Sequence, residues 1–286
     1  MRKAMVHGSG ILLVVCFLLG LRVKAEDMAN STERPSVHFQ LRSGFLVVVK
    51  GQIGGLEGLK FIVDTGASYT FIDRKVADRL KLQRRPGKTT NFDRDVPVEW
   101  AVVPNLRVGP LQTRAFRVMV ANLREYSELA EDVDGIIGLD LLGKCNKLFI
   151  DYEKRTISWE FAGEGESRRS TPAYFTIPVV VQGFPMHLVI DTGFEVILMY
   201  KDRLQRGLPH FRTEGEATEG GVGRLQTTRV KLPGVQLYGP ETVTTVFLAD
   251  APESAMLPDI DGYLGVASLK AKRIEFDFAG RAMRWE

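Results

Sequence analysis

The apolar positions of this chain fall in short, β-branched runs separated by turn-forming residues. In GFLVVVKGQ (Gly44 to Gln52) the run is apolar and β-branched, IGGLEG supplies a turn, and LKFIVD returns toward Asp64. That pattern predicts a hairpin delivering an aspartate to a loop. FTIPVVV, QGFP and MHLVID repeat it with a shorter turn ahead of Asp191. A helical stripe is expected over RKVADRLKL (Arg74 to Leu82), with Val76, Leu80 and Leu82 on one side and Asp73 as N-cap. LFIDY…TISWE and IEFDF…AMRWE predict two further hairpins, closing around EKR and AGR. Strands dominate, with one or two short helices in each half, which excludes a parallel α/β sheet and a helical bundle.

These patterns occur twice in register. FIVDTG (Phe61 to Gly66) and LVIDTG (Leu188 to Gly193) are offset by 127 residues, as are DGIIG (Asp134 to Gly138) and DGYLG (Asp261 to Gly265). KLFIDYEKRTISWE (Lys147 to Glu160) matches RIEFDFAGRAMRWE (Arg273 to Glu286) once one residue is dropped. In both, the aspartate precedes Trp-Glu by eight positions, and four such landmarks mark a duplication. The organisation expected is a first domain over 36–161, a linker over 162–172 (AGEGESRRSTP) and a second domain over 173–286.

The N-terminus carries a different signal. Basic MRKAMVHGSG precedes the apolar run ILLVVCFLLGL (Ile11 to Leu21), with Val23 and Ala25 at a cleavage-type site. Residues 1–25 read as a secretory signal peptide, and 26–35 as a mobile N-terminus. Eleven apolar residues fall well short of the roughly 20 that a spanning helix needs, so membrane contact is expected only through this segment, if it stays uncleaved. The expected location is secreted or periplasmic. Removing the segment takes Arg2, Lys3, Arg22 and Lys24 and no acid, so basic residues fall from 38 to 34 against 35 acids. The net charge moves from +3 to about −1. No Lys/Arg run marks a nucleic-acid face, so no nucleic-acid partner is expected. The remaining cysteine, Cys145, has no partner for an intramolecular disulfide.

One Asp-Thr-Gly tripeptide is ordinary turn chemistry. Two, each behind three apolar residues and each at the same place in a duplicated unit, can bring Asp64 and Asp191 to one axis. Two carboxyls within hydrogen-bonding reach share a proton and titrate as a unit. Such a pair can hold a water, take its proton during attack on a carbonyl, and protonate the carbonyl oxygen or leaving amine.

With both motifs in view, Ile62-Val63-Asp64-Thr65-Gly66 and Val189-Ile190-Asp191-Thr192-Gly193, backed by Ile136-Ile137-Gly138 and Tyr263-Leu264-Gly265, the sequence resembles an aspartic protease of the pepsin and retropepsin superfamily. The resemblance covers both repeats. It implies a mainly β fold of two tandem retropepsin-like (acid protease fold) domains forming an internal pseudo-dimer. It implies Asp64 and Asp191 as the catalytic dyad, Thr65 and Thr192 as threonines interlocked beneath it, and Gly66 and Gly193 as turn positions supporting the carboxylates. Ala67 fits the retropepsin pattern; Phe194 fits neither branch, and its ring is expected in the core. A substrate flap is expected from EGGVGRLQT (Glu219 to Thr227), whose Gly220, Gly221 and Gly223 permit close backbone approach. The equivalent TNFDRDVPVEW (Thr90 to Trp100) lacks those glycines, and Trp100 is expected in the core.

The function expected is an aspartic-type endopeptidase acting on a peptide or protein substrate without a cofactor. The alternative is a peptide-binding protein that keeps the fold without turnover. A monomer is expected, with a two-chain pairing of equivalent halves as the variant. His38, His187 and His210 have no metal-ligand spacing, so no metal site is expected. Asp134, Asp151, Asp261 and Asp277 are expected in structural turns.

Overall fold

The first repeat begins with β1 (Ser36–His38), β2 (Gln40–Arg42), β3 (Leu46–Ile53), β4 (Leu56–Val63), β5 (Phe71–Asp73) and α1 (Arg74–Arg79). It continues with β6 (Arg84–Asn91), β7 (Arg94–Val108), β8 (Leu111–Ala121), α2 (Leu123–Tyr126), β9 (Gly135–Ile137), α3 (Leu139–Leu142), β10 (Lys147–Asp151) and β11 (Thr156–Glu160). The second repeat holds β12 (Thr176–Val181), β13 (Phe184–Asp191), β14 (Ile197–Tyr200), α4 (Lys201–Gln205), β15 (Arg212–Gly221) and β16 (Gly223–Gln236). It ends with β17 (Thr242–Ala249), β18 (Gly262–Gly265), a 3-10 turn (Val266–Leu269), β19 (Arg273–Asp277) and β20 (Ala282–Trp285). This computed structural model describes residues 34–91, 94–126, 131–161, 174–205, 212–221, 223–237, 239–250 and 259–286. The expected signal peptide, the start of the N-terminal segment and the expected linker lie outside the described residues. All of these elements belong to one unit, Glu33–Glu286, and the fold is mainly β.

Three sheets organise it. An eight-stranded sheet of the first repeat has the order β2-β3-β4-β9-β5-β8-β7-β6, and a seven-stranded sheet of the second has β12-β13-β18-β14-β17-β16-β15. The third is shared: β1-β11-β10-β19-β20 takes strands from both repeats, with β10 antiparallel to β19. Its alternating burial turns Leu148, Ile150, Ile157 and Trp159 of the first repeat and Ile274 and Phe276 of the second into one apolar cluster. A continuous core therefore runs through both halves, with two smaller clusters, one in each repeat, around Ile62 and around Val189.

The hydrogen bonds repeat as the sequence does. Asp134 accepts the Lys60 amide at 2.9 Å, and Asp261, 127 residues on, accepts that of His187 at 2.8 Å. Asp151 and Asp277 each accept an amide three residues ahead, from Lys154 at 2.7 Å and Gly280 at 2.6 Å. All four are turn-holding carboxylates. Asp73 caps α1 by accepting from the Lys75 amide at 2.9 Å, and its other oxygen takes the buried Leu123 amide at 3.1 Å.

Candidate active site

Each Asp-Thr-Gly turn is held in place by a parallel strand pair. β4 runs beside β9, with Val63 opposite Ile137, and the Asp64 amide donates to the Ile137 carbonyl at 3.0 Å. β13 runs beside β18, bringing Asp191 opposite Gly265. The apolar triplets Phe61-Ile62-Val63 and Leu188-Val189-Ile190 are buried, so both chains emerge from the core at the aspartate. This is why three apolar residues precede each carboxylate: the strand is buried on both faces.

The two turns interlock through their threonines. Thr65 Oγ1 donates to the Ile190 carbonyl at 2.8 Å and accepts the Thr192 amide at 3.2 Å. Reciprocally, Thr192 Oγ1 donates to the Val63 carbonyl at 2.7 Å and accepts the Thr65 amide at 3.0 Å. Both threonines are fully buried. Only a side chain with donor and acceptor on one short arm can make both bonds, which explains the residue type.

Above this lock the two carboxyls meet. Asp64 and Asp191 hydrogen-bond one another, and only 4% and 5% of their surfaces remain exposed. Each also accepts from its own turn: Asp64 Oδ1 from the amides of Gly66 at 2.8 Å and Ala67 at 3.0 Å, Asp191 Oδ1 from Gly193 at 2.7 Å. The glycines have a second reason to be glycines. A Cβ on Gly193 would lie 2.6 Å from Asp64 Oδ2, and one on Gly66 would overlap the Asp191 carboxylate. Neither needs an unusual backbone angle; each makes room for the opposite aspartate.

Burial raises the proton affinity of both carboxyls. For Asp64 the bonds from Gly66 and Ala67 and the bond with Asp191 oppose the rise. For Asp191 the charge of Asp64 adds to burial, and the group is held well above the ordinary carboxylate value. The two carboxyls therefore titrate as one unit, with proton affinity raised above that of an ordinary carboxylate.

Residues 49–141, which include Asp64 and its turn, match the aspartyl protease family. The matched segment lies within the first repeat. Among solved structures, a retropepsin-like aspartic protease from Rickettsia conorii is 19% identical and covers 45% of this chain and 92% of its own, at a TM-score of 0.33. No curated protein matches.

Other expected site residues fall as follows. Gly220, Gly221 and Gly223 lie at the tip of the β15–β16 hairpin, in register from Arg212↔Lys231 to Gly221↔Gly223, with Val222 between them outside the described residues. The glycine-poor segment of the first repeat also forms a hairpin, β6–β7, paired from Arg84↔Ala101 to Asn91↔Arg94; Asp93 lies outside the described residues. Trp100 is half-buried there and packs against the apolar cluster around Ile62. It packs edge-on to Tyr69 at 5.3 Å between ring centroids, under the Arg117 guanidinium at 3.8 Å. Gly87 faces it because a Cβ would stand 2.5 Å from the indole. Phe194 is buried in the apolar cluster with Val189, Leu198 and Tyr263. Among the described residues no group of three His, Cys, Asp or Glu side chains could hold a metal ion, and no helix is long and apolar enough to cross a membrane.

Two polar groups beside the aspartates escaped the motif reading. The Tyr174 hydroxyl meets the Ser68 hydroxyl across the two repeats, and Tyr263 packs edge-on to Tyr200 at 6.4 Å between ring centroids, in the cluster that Tyr174 joins. Comparing the repeats at positions where they differ points to the first: Tyr174 stands where the first repeat has Leu46.

Proposed function

We propose that the chain is a single-chain aspartic endopeptidase in which Asp64 and Asp191 activate water against a peptide carbonyl. The carrying observation is the hydrogen-bonded, buried pair of carboxyls held by reciprocal threonine bonds from the two repeats. Asp64, ionised and supported by two amides, takes a proton from the water as its oxygen bonds to the carbonyl carbon. Asp191 gives its proton to the carbonyl oxygen, leaving a tetrahedral gem-diol. The proton on Asp64 then passes to the amide nitrogen, the C–N bond breaks, and a gem-diol hydroxyl returns a proton to Asp191. Both carboxyls end as they began, and the products are a carboxylic acid and an amine.

Because both halves supply one carboxyl, the two repeats form the internal pseudo-dimer within one chain. The β15–β16 hairpin, tipped by Gly220, Gly221 and Gly223, serves as the flap, its backbone pairing with an extended peptide. Residues 1–25 direct the chain to a secreted or periplasmic location. Phe194 packs in the apolar cluster with Val189, Leu198 and Tyr263, which supports its reading as a core residue.

The test is binding of a peptide mimic with a hydroxyl at the scissile position, followed by calorimetry. Tight, competitive binding by the wild type, at least a hundredfold or so weaker in Asp64→Asn and in Asp191→Asn, supports the assignment. Equal binding by all three overturns it.

A further inference from the structure

We propose that Tyr174 is a positioning residue for the aspartate pair: its hydroxyl bond to Ser68 fixes the Asp64 turn to the second repeat on one side of the pair only. This deepens the protease reading and depends on it for the consequence in turnover, but not for the geometry.

Ser68 stands four residues beyond Asp64, on the same turn that presents the carboxyl. Tyr174 leads into β12, whose antiparallel partner β13 ends in Asp191. The Ser68–Tyr174 bond therefore ties the turn of one aspartate to the strand pair that carries the other. It lies apart from the threonine lock, which joins backbone and side chains at Thr65 and Thr192. The ring packs partly buried against the cluster of Val189, Phe194 and Tyr263, so the hydroxyl has a fixed origin. The charged and titratable groups facing it are Asp64, Asp191, Tyr69 and Tyr263. Burial and both aspartate charges hold the phenol above its ordinary value, against the bond to Ser68, so it stays neutral while the aspartates titrate.

The duplication shows that this contact is not part of the repeated plan. Val48 pairs with Ile62 as Thr176 pairs with Val189, which makes Leu46 the counterpart of Tyr174, and the 127-residue offset makes Glu195 the counterpart of Ser68. Leu46 is buried and has no polar atom to offer, and Glu195 is exposed. The reciprocal bond does not exist. A fold with two equivalent threonine contacts thus has one inequivalent hydroxyl contact, placed where it restrains the spacing of the two carboxyls.

Coupling between two carboxyls falls as they separate or as water enters between them. Losing the hydroxyl bond therefore brings the two apparent ionisations of the pair closer together. The experiment titrates carbon-13-labelled aspartate carboxyls by NMR in the wild type, Tyr174→Phe, Ser68→Ala and the double variant. Peptide cleavage across pH and the thermal midpoint are recorded beside it. Tyr174→Phe keeps the ring and its packing, so folding is preserved. Expected are a narrowed gap between the two ionisations, a narrowed pH profile, and kcat lower by about ten- to a hundredfold with KM nearly unchanged. Ser68→Ala should do the same, and the double variant no more than either single one. If the wild type does not cleave but the gap still narrows, the protease reading fails and the bridge stands. An unchanged gap in both single variants, or additive effects in the double variant, overturns the bridge whatever the activity.

Discussion

Replacing Thr192 by valine removes one hydroxyl and almost nothing else, which makes it a clean probe of the lock between the repeats. That hydroxyl accepts the Thr65 amide at 3.0 Å and donates to the Val63 carbonyl at 2.7 Å, in a fully buried setting. Water cannot replace it, so the Thr65 amide is left unpaired at a cost of about 1–3 kcal/mol. Losing the second bond, from a carbonyl with another lone pair to use, adds about 0.5–1.5 kcal/mol. The expected loss is about 2–4 kcal/mol, since valine adds a methyl but no packing defect. For a unit of this size that lowers Tm by about 5–15 °C. Thr192→Ser keeps both bonds and should lose less than about 1.5 kcal/mol, the value of the missing methyl. Calorimetry of wild type, Thr192→Val and Thr192→Ser decides the matter. A valine variant within about 0.5 kcal/mol of wild type, or a serine variant equally damaged, would refute the claim that these hydrogen bonds hold the halves together.

Three further outcomes follow from the same geometry. Gly193→Ala places a Cβ 2.6 Å from Asp64 Oδ2, so it should fold but lose about a hundredfold in kcat by displacing the carboxyl, measured by steady-state kinetics. Asp191→Asn removes a group whose proton affinity burial and the Asp64 charge have raised; its penalty is absent near pH 3, where folded and unfolded chains are both protonated, grows as pH rises from the ordinary carboxylate value toward the folded value, and is complete above it. The variant should therefore gain stability over wild type at pH 7 and not at pH 3, by about 1.4 kcal/mol for every tenfold change in proton affinity that folding imposes, read as Tm at both pH values. Asp73→Ala removes the α1 cap and leaves the buried Leu123 amide unpaired, so urea unfolding should show a loss of about 2–4 kcal/mol, more than a cap alone.

Much of this arrangement was legible because it rests on local rules. Alternating apolar runs gave the β3–β4 and β12–β13 hairpins, and Asp73 announced its helix because a cap needs only neighbours in sequence. The duplicated Asp-Thr-Gly turns brought two carboxyls together on paper because a repeated fold repeats its positions. What local pattern could not give was pairing between distant strands. Nothing in KLFID or RIEFD alone shows that β10 and β19 lie side by side, since the alternation of a strand marks its buried face and not its neighbour. The hairpin of the first repeat was underrated for lack of tip glycines, yet Gly87 inside β6 marks it, for a reason visible only once Trp100 lies across it. Trp100, expected in the core, packs half-buried against the cluster around Ile62, with Tyr69 and Arg117 on its ring, contacts that sequence spacing does not encode. Ser68 and Tyr174 meet across two repeats from positions that share no motif.

The central claim is that Asp64 and Asp191 act as one catalytic group within one chain, and cleavage of a mixed peptide pool across pH tests it most directly. The chain lacking residues 1–25 should cleave with a bell-shaped pH profile and a rate proportional to its concentration, and both Asp64→Asn and Asp191→Asn should be inactive while folded. Cleavage retained by either variant would contradict the account.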